Sequence, residues 1–226
     1  MSRQKATINI LFALFLAMAG GMRGQAESED PVLRYYCQRA AGQGESRDPA
    51  KTGLRYEVWV RTYLTHFGRG NKVELTDSAL FRRFCSFGAI DSQQTEAVTK
   101  ESLAKFDLSY PNVFQGAYEF RFFPNDTGGA ALAIGFESDT VQNLSPVGLA
   151  VIDRTSFYLQ RLYLYYPNAE KYERYSRTFS LRLQDGYVFP DTVVTMYSEA
   201  GIFAVEHYRI DTYVDSVRIF RDRPGE

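Results

Sequence analysis

Residues 153–168 read DRTSFYLQRLYLYYPN, and residues 172–220 read YERYSRTFSLRLQDGYVFPDTVVTMYSEAGIFAVEHYRIDTYVDSVRIF. Apolar and polar residues alternate through both runs, the period of a strand with one buried face. The alternation breaks at Pro167-Asn168, Asp185-Gly186 and Glu199-Ala200-Gly201, which are turn chemistries with known backbone causes. Asp-Gly is a strong two-residue hairpin signal. Phe179, Leu181 and Leu183 share one face of their strand, with Arg182 and Gln184 opposite. Val188 to Tyr197 returns, and Ile202 to Val214 alternates with Ala204, Tyr208, Ile210 and Val214 together. Four or five consecutive antiparallel strands are predicted.

Upstream, the same period recurs. In Leu54–Phe67 (LRYEVWVRTYLTHF), Leu54, Tyr56, Val58, Val60 and Leu64 face one way, and Arg55, Glu57, Trp59, Arg61 and Tyr63 the other. A second strand runs from Lys72 to Phe87, where Asp77 and Arg83 interrupt an otherwise apolar face. Either a bulge re-phases that strand or a polar group reaches inward. Gln115–Phe123 places Tyr118, Phe120 and Phe122 together, and Ala130–Ser138 places Leu132, Ile134 and Phe136 together. Ala131, Ala133 and Gly135 on the opposite face suit the close approach of another element. Pro146–Arg154 leads into the opening stretch, for nine or so strands in mostly meander order.

Two segments carry a helical period. Pro31–Ala41 has Leu33, Tyr36, Cys37 and Ala40 on one stripe, Asp30 as cap and Pro31 at the first helical position. The polar stretch Gly42–Gly53 reads as a linker. Between Ala89 and Pro111, Ala97, Val98, Leu103 and Phe106 predict a second helix, either a lid or a crossover packed on the core.

At the N-terminus, Arg3 and Lys5 precede the apolar run Ile8–Met22, and Gly24-Gln25-Ala26 offers small residues for cleavage. Residues 1–26 are read as a secretory signal peptide, and 27–226 as one domain. Cleavage removes three basic and no acidic residues, which takes the 26 basic and 27 acidic residues to 23 and 27, a net charge of about −4. That balance argues against a nucleic-acid partner, which needs a basic patch. Aromatic residues make up 15% of the chain, enough for either a large core or a wide apolar cavity. Cys37 and Cys85 form an even pair in an oxidising compartment, open to a disulfide or to two separate buried thiols.

Catalytic signatures are missing. His66 and His207 lie inside strand runs, without an H-x-x-H or H-E-x-x-H motif, so no metal site is expected. G-x-S-x-G, P-loop and G-x-G-x-x-G patterns do not occur, and no cofactor is expected. Asp153, Asp191, Asp211 and Asp215 read as solvated carboxylates near strand ends rather than a glycosidase pair. Asn125-Asp126-Thr127 and Asn143-Leu144-Ser145 match the glycosylation sequon.

A signal segment and an N-terminal helix precede the strands, and Asp153, Asp185-Gly186, Phe189-Pro190 and Gly201-Ile202-Phe203 punctuate them. In this the chain resembles the periplasmic outer-membrane lipoprotein-carrier superfamily, the LolA and LolB types and their lipid-carrier relatives. The resemblance implies a mainly β (α+β) fold, a single curved antiparallel sheet or half β-barrel with two to three helices covering its concave face. It also implies a non-enzymatic, exported periplasmic protein, soluble after signal cleavage, that holds a lipid or acylated lipoprotein in an apolar groove. Its partners would be the acyl chain, an envelope protein and, transiently, a membrane. Leu54, Tyr56, Val58, Val60, Phe120, Phe122, Leu132, Ile134, Phe136, Phe179, Leu181, Leu183, Tyr208 and Ile210 are the candidate groove residues. The same residues suit an ordinary filled core, in which case the chain is a structural module of the envelope. A small outer-membrane barrel and a hydrolase are further alternatives.

Overall fold

A computed structural model of the chain describes residues 30–68, 72–86, 89–116, 118–123, 129–138, 146–167, 169, 172–201 and 205–220. The proposed signal peptide, both sequons, and Ile202, Phe203 and Ala204 lie outside the described residues. Ten strands occur among them: β1 (Arg55–Phe67), β2 (Val73–Ser86), β3 (Ala89–Val98), β4 (Tyr118–Phe122), β5 (Ala131–Ser138), β6 (Val147–Asp153), β7 (Leu159–Tyr165), β8 (Arg174–Gln184), β9 (Tyr187–Ala200) and β10 (Val205–Phe220). Helix α1 spans Pro31–Ser46, α2 is the single turn Glu101–Ala104, and a 3-10 turn covers Val113–Gln115.

All ten strands belong to one open, curved sheet of order β3-β2-β1-β10-β9-β8-β7-β6-β5-β4, antiparallel throughout. Its edges, β3 and β4, stand at opposite ends, so the sheet does not close as a membrane-spanning barrel must. The opening stretch of sequence supplies β7 to β10, with Asp185 (φ 52°) and Gly186 (φ 90°) making the β8–β9 turn.

This order has a topological consequence. The chain finishes β3 at one edge and must begin β4 at the other, with only residues 99–117 to join them. Ten strands spaced about 4.8 Å apart span roughly 43 Å along the sheet, while 19 extended residues reach roughly 63 Å. The connection therefore has to cross a face of the sheet, with about 20 Å of reach to spare for its two short helical turns. It takes the inner, concave face, where Leu103, Ala104 and Val113 are buried. We call residues 99–116 the strap.

Two sequence expectations are corrected here. The helix predicted between Ala89 and Pro111 is instead an edge strand, β3, followed by the single turn α2. Pairing with β2 outweighs the good helix formers of this stretch, because propensity is a weak bias beside a full ladder of hydrogen bonds. Conversely, α1 runs past Ala41 through Gly42 and Gly44 to Ser46, where a linker is predicted. Gly44 has a packing reason: a Cβ there would lie only 2.4 Å from Nδ2 of Asn112 in the strap.

Helix α1 buries Leu33, Cys37 and Ala40, spaced for one face, against Leu132, Ile134 and Ile152 of β5 and β6. Phe157, at φ 59°, turns its ring toward Tyr35 and Tyr36 of α1, with centroids 5.8 Å from each. Cys37 and Cys85 are both free and buried, so the alternative of separate thiols holds rather than the disulfide. The reason is placement: Cys37 sits on α1 over β5 and β6, whereas Cys85 lies on β2 opposite Tyr56.

Candidate ligand-binding face

Register brings one row of side chains across all ten strands on the inner face: Val98, Ala79, Thr62, Thr212, Val193, Phe179, Leu162, Ala150, Ile134 and Phe122. From Thr62 to Ile134, seven consecutive members are 0% exposed. The only polar atoms there are two hydroxyls that satisfy each other, Thr62 Oγ1 and Thr212 Oγ1 at 3.1 Å.

The next row along the strands reads Asp77, Leu64, Ile210, Thr195, Arg177, Leu164, Gly148, Phe136 and Phe120. Gly148 is required there, since a Cβ would meet the Tyr163 carbonyl oxygen at 1.9 Å and the Phe136 ring at 2.7 Å. Beyond it, His66, Tyr208, Tyr197 and Tyr175 pair in register, joined by Tyr172 and Tyr166. Successive centroids along this ladder lie 4.7 to 5.2 Å apart, and all six rings are half-buried.

Thirteen of the fourteen sequence-predicted residues join this apolar interior. Val58, Val60, Leu132, Ile134, Phe136, Phe179 and Leu181 are buried in its clusters, and Leu54, Tyr56, Phe120, Phe122, Tyr208 and Ile210 pack against them. Leu183 is the exception at 42% exposed, because it stands two residues before the Asp185-Gly186 turn and belongs to no apolar cluster.

Two inner-face arginines hold the strap. Arg83, 3% exposed, donates from Nη2 to the Ala104 carbonyl at 2.8 Å and from Nε to Gln93 Oε1 at 2.7 Å, and its guanidinium lies 4.5 Å from the Phe81 ring centroid. Burial pushes its pKa down. Arg177 donates from Nη2 to the Asp107 carbonyl at 2.6 Å, between the rings of Phe106 (5.5 Å) and Phe179 (4.7 Å). The interruption at Arg83 is visible in sequence as a polar group on an apolar face. Arg177 is hidden there, because an arginine in a strand ordinarily marks the solvent side.

The strap also closes on α1 and the turn that follows it. Asn112 donates to the Ala41 carbonyl at 3.3 Å, and Lys51 Nζ donates to Gln115 Oε1 at 2.8 Å. At this junction Gln43, Tyr110, Phe114, Leu159 and Val188 line a cavity of about 10 Å³, which holds one water at most. Strap and helix thus pack closely at this junction.

The hydrolytic candidates are occupied elsewhere. Asp215 accepts from Arg61 at 2.6 and 2.7 Å, Asp191 from Arg182 at 3.0 Å, and Asp211 from Arg209 at 2.7 to 2.9 Å. Asp153 organises the β6–β7 turn, accepting from the Ser156 N–H and hydroxyl, both at 2.7 Å, and the Thr155 N–H at 3.1 Å. His207 Nδ1 lies 2.8 Å from Ser198 Oγ, on strand positions opposite in phase to the inner face. His66 stacks on Tyr208 within the ladder. No cluster suited to a metal ion occurs among the described residues.

No protein-family model matches this chain, and no curated protein does. Similar solved structures include a Vibrio parahaemolyticus domain described as an outer membrane lipoprotein-sorting protein domain. It is 8% identical over 85% of this chain and 93% of that one, at a TM-score of 0.43. A DUF1329 family protein from Desulfovibrio piger is 13% identical over 83% and 92%, at 0.42. A LolA superfamily protein from Nitrosomonas europaea is 10% identical over 85% and 94%, at 0.36.

Proposed function

We propose that this chain is a non-enzymatic, exported binding protein that holds a lipid or the acyl chain of a lipoprotein on the inner face of its sheet, in the periplasm. The single observation that supports this reading is the nature of the cover. The strap buries Leu103, Ala104 and Val113 on a mainly apolar face, yet its own regular structure amounts to one four-residue helix and one three-residue 3-10 turn.

A cover of this kind is exchangeable. Burying ten methylenes of an acyl chain contributes about 8 kcal/mol before ordering costs. Releasing the whole strap gives up three hydrogen bonds from charged donors, Arg83, Arg177 and Lys51, at about 1.5–3 kcal/mol each, together with the apolar contacts of seven side chains between Leu103 and Phe114. That sum exceeds the gain from one such chain, so loading would lift part of the strap rather than all of it. No chemistry at a reacting bond is called for.

The test is native mass spectrometry after mild extraction from cells, paired with titration of a fluorescent fatty acid. A carrier retains lipid in the first measurement and saturates in the second, and hydrogen exchange across residues 99–116 rises on loading. A chain that never retains lipid and binds no fatty acid is not a carrier.

The second reading is an envelope module with a permanently filled core. It is favoured by the cavity of about 10 Å³ beneath α1 and the strap. It predicts that amides of the strap exchange no faster with lipid than without.

A further inference from the structure

We propose that Arg177 seats the anionic headgroup, a carboxylate or a phosphate, of the amphiphile that the inner face takes up, and that Asp107 of the strap holds that seat in the closed protein. The inference rests on the acyl-binding reading above and specifies its ligand class.

The first observation is the difference between the arginines of the two faces. On the outer face, Arg61, Arg182 and Arg209 each donate directly to a carboxylate, at 2.6 to 3.0 Å, from their own or a neighbouring strand. Arg177 has no such partner on the sheet. Its side chain is 11% exposed, its Nη2 is spent on the neutral carbonyl of Asp107, and its Nε is buried without an acceptor. The carboxylate that pairs with it is that of Asp107 itself, at 4.0 Å, with a side chain 68% exposed and tied back to the Ser109 N–H and hydroxyl.

Among the described residues, both acceptors that face Arg177 therefore belong to the strap. When the strap lifts, the guanidinium loses its carbonyl and its counter-charge together and is left on an apolar surface, a costly state for an ion. An incoming anion restores both, with the fork geometry that guanidinium offers to carboxylate and phosphate. A neutral headgroup restores one at most, and a cationic one restores neither.

The second observation is the gradient of exposure around it. On one side of Arg177 lies the row that is 0% exposed from Thr62 to Ile134, and on the other the half-buried ladder with Tyr175 and Tyr166. A charged group flanked by a dry apolar interior and a hydroxyl-bearing rim orients an amphiphile, chain inward and headgroup at the rim. The carboxylates of Glu74 on β2 and Glu206 on β10 gather around His66, four and two strands from Arg177 on β8, so acidic groups collect toward that end of the rim.

The experiment displaces a fluorescent alkyl reporter from the purified full chain with four probes of one chain length: dodecanoate, dodecyl phosphate, monolauroylglycerol and dodecyltrimethylammonium, each below its micelle concentration. The two anions are expected to bind at least tenfold tighter than the neutral probe and the cation weakest. Arg177→Gln is expected to abolish the preference, read as the ratio of anion to monolauroylglycerol affinity so that any loosening of the strap cancels, Arg177→Lys to keep most of it, and Asp107→Asn to tighten both anions. Anion and neutral probe binding alike, or a preference that survives in Arg177→Gln, overturns the inference and leaves the carrier reading standing. Failure of all four probes overturns the carrier reading itself. Inorganic phosphate at millimolar concentration separates the sources: displacement of dodecyl phosphate by the free ion alone, with no contribution from chain length, assigns the seat to a free anion and overturns the amphiphile.

Discussion

The guanidinium of Arg83 on β2 donates to the carbonyl of Ala104 in the strap at 2.8 Å, in surroundings where the arginine is only 3% exposed. The bond joins the sheet to its cover at the one-turn helix α2. Removing it with Arg83→Ala leaves the Ala104 carbonyl buried and unpartnered, at a cost of about 1.5–3 kcal/mol. The expected result is faster hydrogen exchange through residues 103–108 with little change in β7 to β10. A uniform rise across the sheet would instead mean that Arg83 supports the whole fold.

The hydroxyl pair of Thr62 and Thr212 makes a signed prediction. Thr62→Val strands the Thr212 hydroxyl in an apolar row and costs about 1–3 kcal/mol, whereas Thr62→Val with Thr212→Val is nearly neutral or stabilising. A double-mutant cycle by urea unfolding reads the coupling. Thr195, 2% exposed with an unpartnered Oγ1, gives the complementary case: Thr195→Val is expected to match or exceed the parent stability.

Asp153 links stability to acid. Hydrogen bonds from the Ser156 backbone N–H, then the Ser156 hydroxyl, hold its pKa below the ordinary aspartate value. A depressed folded-state pKa contributes stability that is present above the unfolded value, about 3.9, and is lost as pH falls through the lower folded one. Melting temperatures of the parent and Ser156→Ala should therefore differ at pH 6 and converge as the pH is taken well below 4. A constant difference across that range would show that the turn does not depend on the charge.

Two glycines separate packing from backbone freedom. Gly148→Ala forces a methyl against the Tyr163 carbonyl and the Phe136 ring, an overpacking that costs at least about 2 kcal/mol. Gly42 lies in α1, and a methyl added to it would have nothing within 4 Å, so Gly42→Ala is expected to stabilise by about 0.5–1 kcal/mol. Denaturant midpoints of the two variants should move in opposite directions.

The thiols report on the cover of the face. Burial pushes the Cys37 thiol up to about 12 and raises that of Cys85 as well. Both are expected to resist a thiol reagent at pH 8 in the folded protein and to react as two free groups in denaturant. A count of zero in denaturant would show a bridge in the isolated protein.

The strands are legible in the sequence because two-residue alternation survives wherever one face is dry, and thirteen groove candidates share the interior for that reason. Leu183 has the same phase as Phe179, yet periodicity gives the face of a residue and not its distance from the end of the cover. The segment containing Ala97 and Val98 looks helical because composition cannot report the β2 ladder waiting beside it. Arg177 escapes a sequence reading since its burial depends on Phe106 and Asp107, some 70 positions earlier in the chain. Gly44 reads as a linker residue, although its role is to let Asn112 approach.

Because the strap is continuous with β3 at one edge of the sheet and β4 at the other, it acts as a bowstring drawn across a bent bow. Such a cover cannot swing free like a flap hinged at one side. Slack at its middle is gained only as its two anchor points draw together or as α2 and the 3-10 turn uncoil. Cargo volume, edge-to-edge span and strap length are thus coupled, and a residue added to or removed from the strap would change how far the cover can lift.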